Sequence, residues 1–410
     1  MRSSLSYGLL LSSYFLACLL RSGSGVIFPA VAADIGISPA AIGLISGMFY
    51  YGYTLAQPYC GMLCDRKSPV FAVSLGMIIF SLGLFMFSFT KDPYILGISR
   101  FLAGVGAGPT FCALMAYQAN AFPPAIFPRL TALTIVLGHL GNVVAISPLG
   151  GVIDLFGYRR THFSLALFSL SILLLLLLLL KGSDLRKRGF CENEKGSLLS
   201  GFRVIFGSKR LTSLLMIWST SLILQLTLIG LWGVIWLTSE RADISVYHAR
   251  LCMTLGGFGV LAGAFLAGII GNRLILVPKF MQVLLVSMIL VLTLLTFSIN
   301  SGLTWQLISF ISFLLGISIG TSLVISNVVL FRAVGPELIG TVTGANNVVL
   351  FLSVLLSQWF SGAFIDYLQQ FSLPAGISPY SVFFSLLIIT GAGIAVSLRK
   401  VNFTDDPSRV

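Results

Sequence analysis

The sequence predicts an all-α membrane protein, with twelve transmembrane helices in two pseudo-symmetric six-helix bundles. Three observations predict it. Of 410 residues, 57% are hydrophobic and only 9% are charged, against about 25% charged in an ordinary soluble domain. Apolar windows of spanning length recur along the whole chain, and helices satisfy every backbone group inside lipid. One long polar stretch, 181–210, parts these windows into two sets of six, and short motifs repeat across it.

The spans are expected, in order, at 5–33, 39–62, 69–90, 94–120, 131–153, 162–181, 211–238, 247–271, 278–299, 303–333, 339–365 and 379–398. The first carries Arg21 near its middle, followed by Ser22, Gly23, Ser24 and Gly25. Its Phe15-Leu16-Ala17-Cys18 loosely matches a lipoprotein cleavage box, but the apolar run continues to residue 33 and is read as a retained span. The second span ends in the basic turn Gly61-Met62-Leu63-Cys64-Asp65-Arg66-Lys67. The fourth holds Arg100 and a run of glycines, and the fifth holds His139, Asn142 and Ser147-Pro148-Leu149-Gly150-Gly151. The seventh has Gln225, Trp232 and Trp236, the eighth opens on Arg250, and the eleventh carries Asn346 and Asn347. Spans 3, 6, 9 and 12 are nearly featureless, as in the unbroken leucines of 173–180, and suit lipid-facing positions. The other eight hold the small and polar side chains that need protein or water around them.

The domain plan is an N-terminal bundle (1–181), a linker (182–210), a C-terminal bundle (211–400) and a tail (401–410). The net charge of +12 does not imply a nucleic-acid partner, because eighteen of the twenty-five Lys and Arg fall in segments on one side of the alternating spans. The positive-inside rule makes that side cytoplasmic, with both termini on it, and the expected location is the inner (plasma) membrane. The 181–210 stretch has eight basic and three acidic residues, a bias toward anionic lipid. Its Gly201–Arg210 end is expected to lie along the membrane surface as a short amphipathic helix. Six cysteines show no metal spacing, and no metal, cofactor or enzyme constellation is expected.

The halves repeat. Phe101–Gly108 mirrors Phe313–Gly320, and Ile153-Asp154 mirrors Ile365-Asp366, both at an offset of 212. Gly61–Arg66 mirrors Gly268–Arg273 at an offset of 207. Parallel repeats imply a pseudo-twofold along the membrane normal and a midplane site between the halves.

With these motifs the chain resembles the major facilitator superfamily over nearly its whole length. Gly61–Lys67 is similar to that family's signature loop, Arg100 with Gly104 and Gly108 to its helix-4 motif, and Ser147–Gly151 to its helix-5 motif. The resemblance implies the major facilitator fold, alternating access, and a conformational latch of Gly61, Asp65, Arg66 and Arg100, with Asp65 engaging the start of span 11. A carboxylate at a helix N-terminus is favoured by roughly 0.3–1 kcal/mol.

Arg21 with Val26-Ile27-Phe28-Pro29, and Tyr53-Thr54-Leu55-Ala56-Gln57-Pro58 on span 2, resemble the anion:cation symporter branch, although Leu20 stands where an acidic residue is common. The resemblance implies that Arg21 faces a cavity and binds an organic anion. Inserting an arginine at mid-membrane costs roughly 2.5–3.5 kcal/mol on insertion scales, so the group needs water, protein or an anion. Tyr14, Tyr50, Tyr53, Asn142, Gln225, Asn346 and Asn347 are the other expected substrate-binding side chains, as phenols and amides at similar depth. No Asp or Glu lies deep in a span, which leaves His139 as the coupling candidate. Trp232, Trp236 and Arg250 are expected at the interfaces, the tryptophans as anchors and the arginine snorkelling outward.

The expected function is secondary active transport of a small organic solute, a carboxylate above all, with membrane lipids and a coupling proton or sodium as partners, by a monomer. The rival reading is a proton-coupled exporter of drugs or amphipathic compounds. A degraded glycine-proline motif on span 5, with Ser147 and Val143 at glycine positions, ranks it second.

Overall fold

A computed structural model describes residues 2–123, 126–180, 198–274, 279–334, 339–371, 378–398 and 401. The chain divides into two compact units, Met1–Asn193 and Glu194–Val410. Helices occupy all twelve predicted spans, and the differences lie in where those helices break.

In the first unit, span 1 is two helices, α1 (Arg2–Ser22) and α2 (Ser24–Ile35), separated at Gly23. Span 2 is α3 (Pro39–Arg66) and span 3 is α4 (Pro69–Phe89). Each opens on a serine whose side chain accepts from the backbone N–H three residues on, with proline next, where a missing N–H costs nothing. Span 4 is α5 (Pro93–Ala107) and α6 (Pro109–Ala121), interrupted at Gly108 because Pro109 cannot donate to the preceding turn. Span 5 begins as α7 (Phe127–Val144) and is interrupted just ahead of Pro148. It resumes in α8 (Ser147–Leu180), which also forms span 6. Between the two, Gly157 adopts φ 79° and ψ 155°, a region open essentially to glycine alone, so the expected loop shrinks to one residue.

The second unit opens with α9 (Leu198–Gly207). Span 7 is α10 (Lys209–Ile223), a nine-residue π-helix (Leu224–Trp232) and α11 (Gly233–Glu240). Spans 8 to 12 are α12 (Val246–Leu274), α13 (Phe280–Asn300), α14 (Trp305–Ala333), α15 (Ile339–Gln369) and α16 (Pro379–Ser397).

The two units pack by the same device. In the first, a Cβ on Gly52 of α3 would lie 2.1 Å from the Phe101 carbonyl oxygen of α5, and one on Gly104 of α5 would lie 2.0 Å from the Phe49 carbonyl oxygen. In the second, a Cβ on Gly259 of α12 would lie 2.1 Å from the Phe313 carbonyl oxygen of α14, and one on Gly316 of α14 would lie 2.0 Å from the Gly256 carbonyl oxygen. The α3 and α12 residues are 207 apart and the α5 and α14 residues 212 apart, the two offsets of the sequence repeat. Equivalent residues thus make equivalent backbone contacts, which only glycine permits.

Four expectations change. Trp232 and Trp236 are fully buried rather than interfacial: Trp232 Nε1 donates to Ser361 Oγ at 2.8 Å, and Trp236 Nε1 to Glu240 Oε1 at 3.0 Å and Ser381 Oγ at 3.2 Å. A partner reached inside the protein outweighs the interfacial preference of an indole. Arg250 is buried rather than snorkelling. The amphipathic helix forms as α9, but it does not simply lie on the surface: Gly201 packs against the Thr341 backbone and Ala345 at the start of α15. The 181–197 part of the linker lies outside the described residues.

Candidate functional site

The site in the first unit is built on the break at Gly23. The last carbonyls of a helix lack partners within it. In α1 two such groups are taken by side chains from other helices: Arg100 Nη1 of α5 donates to Leu20 O at 3.1 Å, and Tyr50 OH of α3 donates to Arg21 O at 3.0 Å. Arg100 Nη2 also donates to Ser24 Oγ at 2.8 Å, and Ser46 Oγ donates to the same oxygen at 2.9 Å. Arg100 is 1% exposed and has no carboxylate partner among the described residues. Its charge rests instead on the carbonyl end of α1 and on the rings of Phe49 and Phe28, 5.2 and 5.9 Å from its Cζ. Arg100 therefore braces α1 in this structure.

The brace fixes where Arg21 emerges. Arg21 as a residue is partly exposed, and its Nη2 makes two long contacts of 3.5 Å, to Cys18 Sγ and Asn142 Oδ1. Among the described residues it has no acidic partner, and its Nε has no hydrogen-bond partner. Asn142 on α7 also accepts from Ser22 Oγ at 2.9 Å, which orients the amide so that its Nδ2 is left without a partner. His139, one turn earlier on α7, has an unpartnered Nδ1. Tyr14 lies over Gly138, where a Cβ would fall 2.4 Å from its ring, and tilts against Phe111 at 5.3 Å. Tyr53 is buried and stacks on Phe49 at 6.5 Å.

The structure thus gathers six expected residues, Tyr14, Arg21, Tyr50, Tyr53, His139 and Asn142, around one stretch of α1, α3 and α7. Arg21 lies within electrostatic reach of Tyr14, Tyr50, Tyr53 and His139. Tyr50 is 0% exposed, with its hydroxyl committed to Arg21 O, so it positions the arginine's backbone. One cation and unused N–H donors from amide and guanidinium form a donor-rich surface, matched chemically by a carboxylate with further acceptors.

In the second unit, Gln225 sits at the start of the π-helix and is 7% exposed. Widened turns free carbonyls that lipid cannot satisfy. Gln358 of α15, fully buried, supplies one remedy by donating Nε2 to Leu226 O at 3.1 Å. Asn346 is 3% exposed with an unpartnered Nδ2, while Asn347 is half-buried. The side chains of Gly61, Asp65 and Arg66, expected in the latch, lie outside the described ones.

Sequence reasoning missed three things. Tyr50 caps the end of α1, a role that depends on a break whose only signal is Ser22-Gly23-Ser24-Gly25, and the same break supplies the partners of Arg100. Gln358 braces a π-helix for which the sequence has no signal. Asp34, at the end of α2, accepts from Tyr158 OH at 2.8 Å and pairs with Arg159 at 3.0 Å and Lys91 at 3.5 Å, tying together three helix ends distant in sequence.

Comparisons with known proteins agree with this architecture. A profile of the Major Facilitator Superfamily matches residues 10–358. The sialic acid transporter NanX of Escherichia coli (strain K12) is 23% identical over 283 residues, 67% of this chain and 67% of that protein. The quinolone resistance protein NorA of Staphylococcus aureus (strain MRSA252) is 26% identical over 113 residues, 27% of this chain and 29% of that protein. Among solved structures, a bacterial homolog of the human lysosomal transporter Spinster, inward-facing and unoccupied, superposes with a TM-score of 0.73 at 17% identity, covering 97% of this chain and 95% of that one. Such a likeness carries the fold alone, but the profile spans most of the chain and both helical units, and on that ground this multi-span membrane protein belongs to the Major Facilitator Superfamily of transporters.

Proposed function

We propose that the chain is a secondary active transporter of a small organic anion, a carboxylate above all, in the inner membrane, working by alternating access. One observation carries the reading. Arg21 lies within a membrane span with no acidic partner among the described residues, beside an asparagine whose amide donor is also unused. A cation with an unfilled donor at that depth is a default functional site. The sialic acid transporter among the relatives is named for an acidic solute, which supports the choice.

In this reading Arg21 supplies charge and a planar donor pair, Asn142 Nδ2 a further donor, and Tyr14 and Tyr53 an aromatic wall. Tyr50 and Arg100 hold the α1 terminus so that Arg21 stays in place. His139 is the coupling group for a proton, and a transport rate independent of proton gradient would point to sodium instead. Gln225, Asn346 and Asn347 are the second unit's candidates for the polar part of the solute.

The test is uptake into proteoliposomes from a panel of organic acids, sugars, amino acids and cationic amphiphiles. An organic acid should accumulate, and Arg21→Ala should abolish that uptake while the variant elutes and melts like the native protein. Undiminished uptake by Arg21→Ala would overturn the anion site. The second reading, a proton-coupled exporter, is supported by the match to a quinolone resistance protein. It requires extrusion of a cationic amphiphile, and no accumulation of any acid.

A further inference from the structure

The second unit contains a groove of about 340 Å³ that the transport reading does not use. Its walls are α10, α13 and α16, with Phe206 of α9 at one end and Val349 of α15 behind. We propose that this groove holds an acyl chain of an anionic phospholipid, drawn from the leaflet on the Lys209 side, with the lipid phosphate held by Arg203 and Lys209.

The lining chemistry comes first. Among the described residues, no charged, amide or imidazole side chain lines the groove. Its three threonines have committed their hydroxyls to backbone: Thr212 Oγ1 donates to Ile205 O at 2.9 Å, Thr220 Oγ1 to Met216 O at 2.9 Å, and Thr390 Oγ1 to Leu386 O at 2.9 Å. Ser219 supplies the one other lining hydroxyl, so a polar solute would find little to bond there, whereas hydrocarbon needs no such partner. Two walls, α13 and α16, are spans 9 and 12, whose featureless sequences mark them as facing lipid.

Length comes second. The span 7 wall runs from Thr212 of α10 to Leu224, the first residue of the π-helix, about 18 Å at 1.5 Å per residue. Half of a ~30 Å hydrocarbon core is about 15 Å. The groove therefore extends from one membrane surface to the midplane, the depth of one leaflet and of the acyl chain that fills it.

Charge at the mouth comes third. Arg203 precedes the lining residue Phe206 by three positions on α9, and Lys209 precedes the lining residue Thr212 by three on α10, so each basic residue shares a helix face with the residue at the groove's end. Both are exposed and in no ion pair among the described residues. The N-terminus of α10, capped by Ser208, adds its partial positive charge on the same side. An apolar slot one leaflet deep, with two exposed cations at its Lys209 end, matches an anionic phospholipid.

The inference is independent of the cargo, and its test reads lipid retention rather than transport. The full-length protein is purified and stripped in detergent. It is then exposed to phosphatidylglycerol or to phosphatidylcholine with the same acyl chains, and analysed by native mass spectrometry. The native protein should retain one phosphatidylglycerol at least ten-fold better than phosphatidylcholine. Thr220→Trp, which fills the groove, should cut retention about ten-fold, and Arg203→Gln with Lys209→Gln should abolish the headgroup preference. Val283→Trp, on an exposed part of α13 that does not line the groove, should change neither. In the unmodified protein, phosphatidylglycerol with a diazirine in its chain should label Met216, Met288 and Ile394. Equal retention of the two lipids, retention unaffected by Thr220→Trp, or labelling concentrated on outward residues such as Leu290 and Phe297 would each overturn the proposal.

Discussion

Two arginines within the spans show how the same residue does different work in a membrane. Arg21 has donors to spare, whereas Arg100 spends one nitrogen on the end of α1 and another on Ser24 at the start of α2, and its charge on two aromatic rings. Removing Arg100 leaves a buried carbonyl unsatisfied, which costs about 1–3 kcal/mol. Arg100→Leu should therefore lower the melting temperature in detergent and reduce uptake together, unlike Arg21→Ala, which should reduce uptake alone. Outside the spans, the hydrogen bonds from Arg241 hold the Asp243 carboxyl below its usual range. A depressed carboxylate stabilises the fold above its unfolded value of about 3.9 and ceases to as pH falls through the folded value. Asp243→Asn should accordingly lower stability slightly at pH 7 and by less at pH 3, below the unfolded value, read as the difference in melting temperature between the two pH values. Arg21 was legible in the sequence because an isolated charge in an apolar run stands out. The role of Tyr50 was not, because a hydroxyl that caps a helix and one that meets a solute look the same until the carbonyl it serves is located.

At the scale of elements, helix breaks carry the function-bearing geometry. Gly23, Gly108 and Gly157 interrupt spans that hydropathy alone draws as continuous or as separated by longer loops. Hydropathy averages over a window longer than a turn, so it locates a span and misses its irregularity. The first span of each unit is broken or widened, and each irregularity is braced from a neighbour: by Arg100 and Tyr50 in one unit, by Gln358 in the other. Helix packing, by contrast, was legible in the glycine pattern. Because a Cβ at Gly52 or Gly259 would stand 2.1 Å from a backbone oxygen, Gly52→Val and Gly259→Val should each push a helix pair apart. Overpacking costs typically about 1–3 kcal/mol, so both variants should lose monodisperse protein on size exclusion, to similar degrees. A large effect of one and none of the other would deny that the two units share a packing scheme.

At the scale of the molecule, the charge pattern makes a prediction independent of any contact. Eighteen of twenty-five basic residues fall on one side of the alternating spans, and such a bias sets orientation during insertion. A fluorescent protein fused after the C-terminus should fold and fluoresce in the cytoplasm, and a periplasmic reporter enzyme at that position should stay inactive. Cysteine labelling at Asp243 should be accessible from outside and at Lys67 only after permeabilisation. The opposite result would invert the topology and with it the leaflet assigned to the phospholipid.

The sequence by itself determined the membrane class, the twelve spans, the internal repeat and the isolated arginine of span 1. Each depends on composition, periodicity or spacing, which are properties of the chain in one dimension. Only the tertiary structure decided that Asn142 contacts Arg21 with Tyr14 and His139 in electrostatic reach, that Arg100 and Tyr50 serve the end of α1, and that Trp232 and Trp236 of span 7 are buried. Those outcomes depend on which helix faces meet, and inside a bilayer that is settled by close packing and by the need of every buried polar group to find a partner on another helix.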